Sequence, residues 1–419
     1  MKVRASRGRP ARPGLTQRVE VETSCGSRQS DLKGLGLRKA LRRSRPGRMA
    51  ASYLGGADII TYLAGREDFL LPYGVSAAYV ATSSSDRYVF EMTKVQTSLT
   101  FDMRSPSFGA QPPELYAAVP DMAAYADEIG VDSISLMEHH GAEDNYLPQP
   151  FVLAACIAGR TQRCRIAINA VQLPLHDPVH VAEKIAVLDL VSQGRARITL
   201  GAGRLPQEFA AFGVSLKDRA RLMNEGVEII LRALHGERFV INGRPVFVRP
   251  LPIQKPQDLI LLGGGVEATA KRAARFDVGI LPMRPEILDV YVEECRRLGR
   301  EPRHMHNPRG LMNIHLSHDP EAAWRRLAPH IRHMAAAQTR YNANEPNSPY
   351  HGIGEDDAEL RRSRMFNVMT PEDLARRAPA EVAPGASASF APLMAGLPPA
   401  LGWESLRLLG GVIEDLRYP

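Results

Sequence analysis

Glu138-His139-His140 places a carboxylate and two imidazoles in consecutive positions. An imidazole with an ordinary pKa near ~6.5 gives or takes a proton at neutral pH, and a neighbouring carboxylate can orient it or share its charge. The tripeptide closes the apolar run that begins at Ser133, so it falls at the end of a predicted strand. Successive side chains alternate along a strand, so only one of the two histidines is expected to face a pocket. Taken alone, a His-His pair is more often a hydrogen-bonded structural pair than an acid–base group.

Three small-residue segments follow at strand ends. Asn169-Ala170-Val171 precedes Pro174, and Gly201-Ala202-Gly203 closes a further apolar run. Missing side chains there let backbone approach a flat ring. Gly263-Gly264-Gly265 leads through Val266 into a helical pattern containing Thr269, which offers free N–H groups and the positive end of a helix dipole to an anion. Each segment also reads as an ordinary strand end or helix entry. His176, His180 and Glu183, and separately His330 and His333, have spacings that invite a metal reading, but neither group makes the HExxH pattern. Asp177 before Pro178 reads as a helix cap. No metal site is expected.

The composition admits a large folded body. Of 419 residues, 44% are apolar, enough for a sizeable core. The net charge of +7 is uneven: residues 1–50 hold 14 Lys and Arg against 3 Asp and Glu, which leaves −4 for the rest. The basic stretch is rich in Arg, Gly, Ser and Pro, and residues 51–91 are interrupted early by Gly55-Gly56, Pro72 and Ser83-Ser84-Ser85, so residues 1–91 are expected to be a disordered extension. Without interleaved aromatics or a folded reader, nucleic-acid binding is not expected. Met92 is a candidate start of the natural product, because regular patterning begins there. Cys25, Cys156, Cys164 and Cys295 form no CxxC pair, and no apolar run reaches 18 residues. Reduced thiols and a cytoplasmic protein without membrane segments are therefore expected.

From Met92 to the end, strand-like and helix-like stretches alternate. Predicted strands cover Val95–Met103, Ser133–His139, Arg165–Leu173, Arg197–Gly201, Leu259–Leu262 and Val278–Leu281, with later ones near Leu311–Leu316 and Ser389–Pro392. Helices fall between them: one carries Leu115, Val119, Met122, Ala123 and Ala126 at helical spacing, others span Pro148–Arg160 and Pro178–Ser192, and a long one places Leu222, Gly226, Ile229, Ile230 and Ala233 on one face. Asn242-Gly243 predicts a tight hairpin. About eight such units in residues 92–419 predict an α/β fold of the TIM-type (β/α)8 barrel class with insertions, whose chemistry sits at the strand C-termini.

The ordered set of EHH, PQPFVLAACIAGRT, RIAINAVQLPLHDPVHVAEKIAVLDLVSQGR and ITLGAG resembles the bacterial luciferase-like flavin-dependent oxidoreductase family, and the likeness extends over about residues 93–419. The resemblance implies that His139 stands over a flavin and takes part in catalysis. It implies that Asn169 and Ala170 lie beneath the ring, near a non-prolyl cis peptide. Gly201, Ala202 and Gly203 would approach the ring or its side chain, although many relatives carry arginine where Ala202 stands. Gly263, Gly264, Gly265, Val266 and Thr269 would hold the phosphate, with Gly265 and Val266 replacing polar residues of some relatives. The implied activity is a monooxygenase using reduced FMN, O2 and a small organic substrate, with the flavin supplied by a separate reductase. A deazaflavin-dependent hydride-transfer enzyme and a non-catalytic flavin-binding paralogue are the alternatives. A homodimer is the expected assembly.

Overall fold

The structure is a computed structural model, and it describes residues 95–343, 354, 356–363 and 365–416 together with the backbone of five short strands within residues 17–92. The chain divides into two compact units, one of residues 1–94 with 417–419 and one of residues 95–416. In the first, Gln17–Val21 pairs antiparallel with Met49–Tyr53, and Arg87–Met92 lies between Ile59–Leu63 and Ala77–Ala81, antiparallel to both. The sequence places no element there. The expected disorder of residues 1–91 otherwise falls outside the described residues.

The second unit is a (β/α) barrel. Its eight strands are β1 (Gln96–Phe101), β2 (Ser133–Leu136), β3 (Arg165–Gln172), β4 (Ala196–Gly201), β5 (Ile260–Gly264), β6 (Gly279–Pro282), β7 (Leu311–Leu316) and β8 (Ser387–Phe390). All pair in parallel, in the order β6-β5-β4-β3-β2-β1-β8-β7, with the short strand Asn367–Met369 added beyond β7. The ring closes through the run-in to β7. Ile280 N–H donates to the His304 carbonyl (2.9 Å), His306 N–H to that of Ile280 (3.0 Å), and Asn307 N–H to that of Gly385 (2.9 Å), so this segment joins β6 to β8. Closing the ring directs all eight strand C-termini to one mouth.

The helices form where apolar spacing and end signals agree. In α1 (Pro112–Ile129) the residues at helical spacing, Leu115, Val119, Met122, Ala123 and Ala126, are all buried, and Gly130 ends the helix at φ 89°. α2 (Pro150–Arg160) and α3 (Pro178–Val191) also start on proline, and the Asp177 carboxylate caps α3 by accepting the Val179 N–H at 2.8 Å. This is the capping role expected of Asp177. α4 (Pro206–Ala211) is a short helix directly after β4.

In α5 (Arg219–Leu234) the buried face is Met223, Gly226, Val227, Ile230, Leu231, Ala233 and Leu234. It is therefore rotated from the expected one, and Leu222 and Ile229 lie at its margin. Gly226 lies on both faces, and it packs closely: a side chain there would come within 2.9 Å of Leu173. The Asn242-Gly243 hairpin forms with φ of 48° and 77°, the left-handed pair that a type I′ turn needs. Beyond it come α6 (Glu267–Phe276), α7 (Glu286–Arg297), α8 (Pro320–Tyr341), α9 (Pro371–Glu381) and α10 (Pro399–Val412). Among the described residues no helix is long and apolar enough to cross a membrane.

Candidate functional site

The C-terminal mouth brings the candidate residues of β2, β3, β4 and β5 together. β2 ends at Leu136, so Glu138-His139-His140 lies in the loop just beyond the strand and not within it. Alternation along a strand therefore does not separate the two rings. The main chain turns because its polar groups are claimed from two sides: His139 N–H donates to the Leu147 carbonyl (3.0 Å), and His140 N–H to Glu208 Oε1 (2.9 Å).

Glu138 is a buried hub. Its Oε1 meets Nε2 of His176 at 2.6 Å and Nε2 of His140 at 3.0 Å, while Oε2 accepts the Gln172 N–H at 2.6 Å. Burial pushes this carboxyl up, but the N–H donors of His140, His176 and Gln172 outweigh it and hold the group at about 2. Glu138, His140 and His176 are the kind of cluster that can ligate a metal, and the spacing arguments that singled out His176, His180 and Glu183 did not find it. The separations of 2.6 and 3.0 Å are hydrogen-bond lengths. Two ligand atoms on one tetrahedral zinc sit roughly 3.3 Å apart, given metal–ligand bonds of about 2.0–2.1 Å. The cluster is a hydrogen-bond node that fixes the β2 and β3 loops.

His139 has a different environment. Its Nδ1 lies 2.9 Å from Glu208 Oε1, and its side chain is 19% exposed against 7% for His140. Glu208, in the first turn of α4, is almost wholly buried. Burial pushes its carboxyl up, but hydrogen bonding and charge from His139 prevail and the group is held below its ordinary value. An ionised Glu208 accepts a hydrogen from Nδ1, which leaves Nε2 of His139 as the ring's acceptor nitrogen. Tyr146 and Tyr341 flank the imidazole, with ring centroids 4.6 and 4.9 Å away. Behind them the fully buried Arg104 sets its guanidinium 3.8 Å over the Tyr146 ring and pairs with Asp144, which also meets His333 Nε2 at 2.8 Å. These contacts tie the β1 and β2 loops to α8.

Opposite this wall, β3, β4 and β5 end in a shallow shelf. The Asn169-Ala170 peptide is cis, and pairing with β4 shifts register between Asn169 and Val171. The Asn169 side chain is already engaged, donating to Ser135 Oγ (3.0 Å) and accepting from Thr199 Oγ1 (2.7 Å), so main chain and the Ala170 methyl are what it presents. A Cβ at Gly201 would sit 3.2 Å from that methyl, and one at Gly263 would meet Thr199 Cγ2 at 2.7 Å. Gly203 adopts φ 64°, where a Cβ would strike Gln172 Oε1 at 2.8 Å and Phe209 at 2.9 Å. Ala202 is half-buried beside them. Ala170, Gly201 and Gly263 thus leave three adjacent strand ends nearly without side chains.

The β5 loop continues the shelf. Gly264 has φ 154°, and a Cβ there would lie 2.6 Å from Thr269 Oγ1, whereas one at Gly265 meets Met283 only at 3.5 Å. Val266 is the half-exposed cap residue of α6, and Thr269 is buried one turn in. Arg284 Nη2 donates to the Gly265 carbonyl at 2.7 Å, and Arg204 Nη1 lies 4.0 Å from Met283 Sδ, so two cations flank this loop. Lys271 and Arg272 bond instead to Glu267 and Asn224. The sequence reading did not include Glu208, Tyr146, Tyr341, Arg104 or Asp144. Glu208 carries one usable signal, a lone acid in an apolar turn directly after a glycine-rich strand end.

Residues 97–385 match the family model described as luciferase-like monooxygenase. Limonene 1,2-monooxygenase of Rhodococcus erythropolis is 32% identical over 117 residues, 28% of this chain and 30% of that protein. The match spans less than half the length of such curated relatives. Among solved structures, the oxygenating constituent of 3,6-diketocamphane monooxygenase of Pseudomonas putida, in complex with FMN, superposes with a TM-score of 0.60 at 19% identity, covering 77% of this chain and 98% of that one. An F420-dependent secondary alcohol dehydrogenase superposes with a TM-score of 0.54 at 16% identity, covering 78% and 100%. At these identities the superpositions speak to the fold.

Proposed function

The chain belongs to the luciferase-like monooxygenase family, and from that premise we propose that it is an FMN-dependent monooxygenase acting on a small organic substrate with O2. The observation that carries this reading is the His139–Glu208 pair facing a shelf of Ala170, Gly201 and Gly263 across one barrel mouth. The residues fit a flavin: the stripped strand ends leave room for a flat ring, and the N-terminus of α6 with Thr269, Arg204 and Arg284 offers donors and positive charge to its phosphate. When bound in its reduced form, the flavin supplies two electrons, so that one oxygen atom of O2 enters the substrate and the other leaves as water.

The chain's own part is placement and proton handling. Asn169, Ala170, Gly201, Ala202 and Gly203 would seat the ring, and Gly263, Gly264, Gly265, Val266 and Thr269 the phosphate. His139 Nε2 would give or take the proton at the reacting group, while Glu208 holds the imidazole by Nδ1. Tyr146 and Tyr341 cover that imidazole and limit the access of water. Oxygen uptake by the full chain with reduced FMN and candidate substrates tests the proposal. An absence of uptake coupled to product, despite FMN binding, would sink it.

A deazaflavin-dependent hydride transfer is the second reading, supported by Arg204 and Arg284 at the shelf's edge, which suit a more acidic cofactor tail. It predicts substrate-dependent reduction of the deazaflavin with no oxygen consumed. His139→Asn separates either enzyme from a non-catalytic flavin-binding protein, since only an enzyme has turnover to lose. For assembly we propose a homodimer through α2 and α3, whose outer faces expose Val152 (71%), Val187 (49%) and Val191 (45%). A separate reductase would supply the reduced flavin. Neither nucleic acid nor a membrane enters this reading.

A further inference from the structure

The end of the barrel opposite His139 gathers a second set of ionisable groups. Arg165 opens β3 and Arg197 is the second residue of β4, and the register sets Arg165 beside Ser133 and Arg197 beside Ala167 on adjacent strands. Their side chains face the barrel interior. Asn169 bonds to Ser135 and Thr199 there, and Arg165, Ser133 and Arg197 lie at even spacing from those three residues, whereas Ile134, Ile166 and Ile198 join the core beneath the helices. The segment that closes the ring adds two imidazoles. Met305 bridges Ile280, which packs in that same outer core, so His304 and His306 fall on the inner side of the segment.

The positive charge at this end lacks a counter-charge. Nε and Nη1 of Arg197 are shielded from solvent and meet no hydrogen-bond acceptor. The two acids nearby are turned elsewhere: Asp258, whose charge acts on Arg197, lies 3.6 Å from Arg303, and Asp132, next to the register partner of Arg165, gives Oδ2 to the N–H and Oγ1 of Thr97 at 2.8 and 3.0 Å. Burial and the charge of Arg165 push the Arg197 guanidinium down to about 10. Desolvation of the ring and the charges of Arg197 and Arg165 hold His304 at about 4, although that residue keeps an exposed edge, and burial lowers His306 as well. At neutral pH both imidazoles are therefore uncharged, and the two guanidinium groups carry the charge.

A buried donor without an acceptor is destabilising, and so are like charges brought together away from water. Trapped water would satisfy the donors of Arg197 but leave its charge facing that of Arg165. An anion does both. We propose that the strand N-terminal end of the barrel binds a small oxyanion of the phosphate class, held by Arg197 from within, by Arg165 at the rim and by a ring N–H of His304. Donors on three separate segments call for several acceptor oxygens on one ion, which favours phosphate over a halide or a single carboxylate. Arg165 is exposed, so the ion has a path in from solvent. This site is independent of the reaction assigned to the opposite mouth.

The test is calorimetric titration of the full chain with inorganic phosphate, acetate and chloride at constant ionic strength. Arg197→Met is expected to weaken phosphate binding by about tenfold or more and Arg165→Gln by about threefold or more, while Thr269→Val, at the opposite mouth, leaves it unchanged. Because Arg165 is exposed, its variant decides the matter even where Arg197→Met does not fold. Proton NMR of the His304 ring, identified by its loss in His304→Gln, supplies a second reading: phosphate is expected to raise the pH at which that ring titrates, since the anion offsets Arg197 and Arg165. No phosphate binding up to about 10 mM, affinity unchanged by both arginine variants, or affinity lost in Thr269→Val alone would each overturn the proposal. Acetate or chloride bound as tightly as phosphate would overturn the ligand class.

Discussion

Glu208 Oε1 lies 2.9 Å from His139 Nδ1 and 2.9 Å from the main-chain nitrogen of His140, so one oxygen sets both the ring and the backbone of the histidine loop. The other oxygen, Oε2, is buried without a protein partner. Glu208 thus spends its desolvation on one imidazole and the turn that carries it, which suits a positioning residue better than a second proton donor.

Glu208→Gln keeps the shape but removes the charge. A hydrogen bond to a charged group contributes roughly 1.5–3 kcal/mol, so turnover is expected to fall about 10- to 100-fold. FMN affinity should change little, because Glu208 bonds to the histidine loop and not to the shelf. Steady-state kinetics paired with flavin fluorescence titration checks this. Equal losses in turnover and FMN affinity would mean that the substitution collapses the mouth and does not act on His139.

Glu138 makes the opposite kind of contribution, to the fold. Its carboxyl is held at about 2 against an ordinary 4.5. A depressed carboxyl stabilises the protein above its unfolded pKa and loses that stabilisation as pH falls toward the folded value. The difference corresponds to about 3 kcal/mol at neutral pH. Glu138→Gln is expected to lower stability by roughly that amount at pH 7, with the gap to wild type narrowing from about pH 4.5 down to pH 3. Urea denaturation at pH 7, 4 and 3 reads it, and a gap independent of pH would refute the charge-based account.

How much of this was legible before the structure depended on the range of the interaction. The barrel could be read because strand periods, proline helix starts and the Asn242-Gly243 turn are local signals, and the glycine-rich strand ends mark the shelf by composition alone. The partners of the histidines could not. Glu208 is 69 positions from His139, and Asp144 is 40 from Arg104 and 189 from His333. Only barrel closure brings them together. Helical spacing put Gly226, Ile230 and Ala233 on the buried face of α5, but spacing alone does not choose between the flanks, where Met223 and Val227 are buried and Leu222 and Ile229 lie at the margin.

The β5 loop separates a conformational requirement from a steric one. Gly264 combines φ 154° with a Cβ position 2.6 Å from Thr269 Oγ1, whereas a Cβ at Gly265 makes only ordinary contact with Met283 at 3.5 Å. Gly264→Ala must therefore move the loop or displace Thr269 at the N-terminus of α6. It is expected to weaken FMN binding by about tenfold or more, in line with loss of one hydrogen bond to a charged phosphate at roughly 1.5–3 kcal/mol. Gly265→Ala should stay within about twofold, a few tenths of a kcal/mol. Fluorescence quenching of FMN by the two variants makes the comparison, and similar losses in both would place the phosphate elsewhere.

The thiols report on the proposed interface. Cys164 and Cys295 are buried, and burial pushes the Cys164 thiol up to about 12 and that of Cys295 in the same direction. Cys156 is exposed on α2, the helix that also exposes Val152. Since the thiolate is the reactive form, Cys164 and Cys295 should resist an alkylating reagent until the protein unfolds, while Cys156 should react in the native state. If α2 and α3 meet a second copy, labelling of Cys156 should slow as protein concentration rises, and Val187→Glu should restore it while sedimentation shows a monomer. Peptide mass mapping distinguishes Cys156 from the other thiols. Labelling of Cys156 that is fast at every concentration would place the interface, if the chain dimerises, on another face of the barrel.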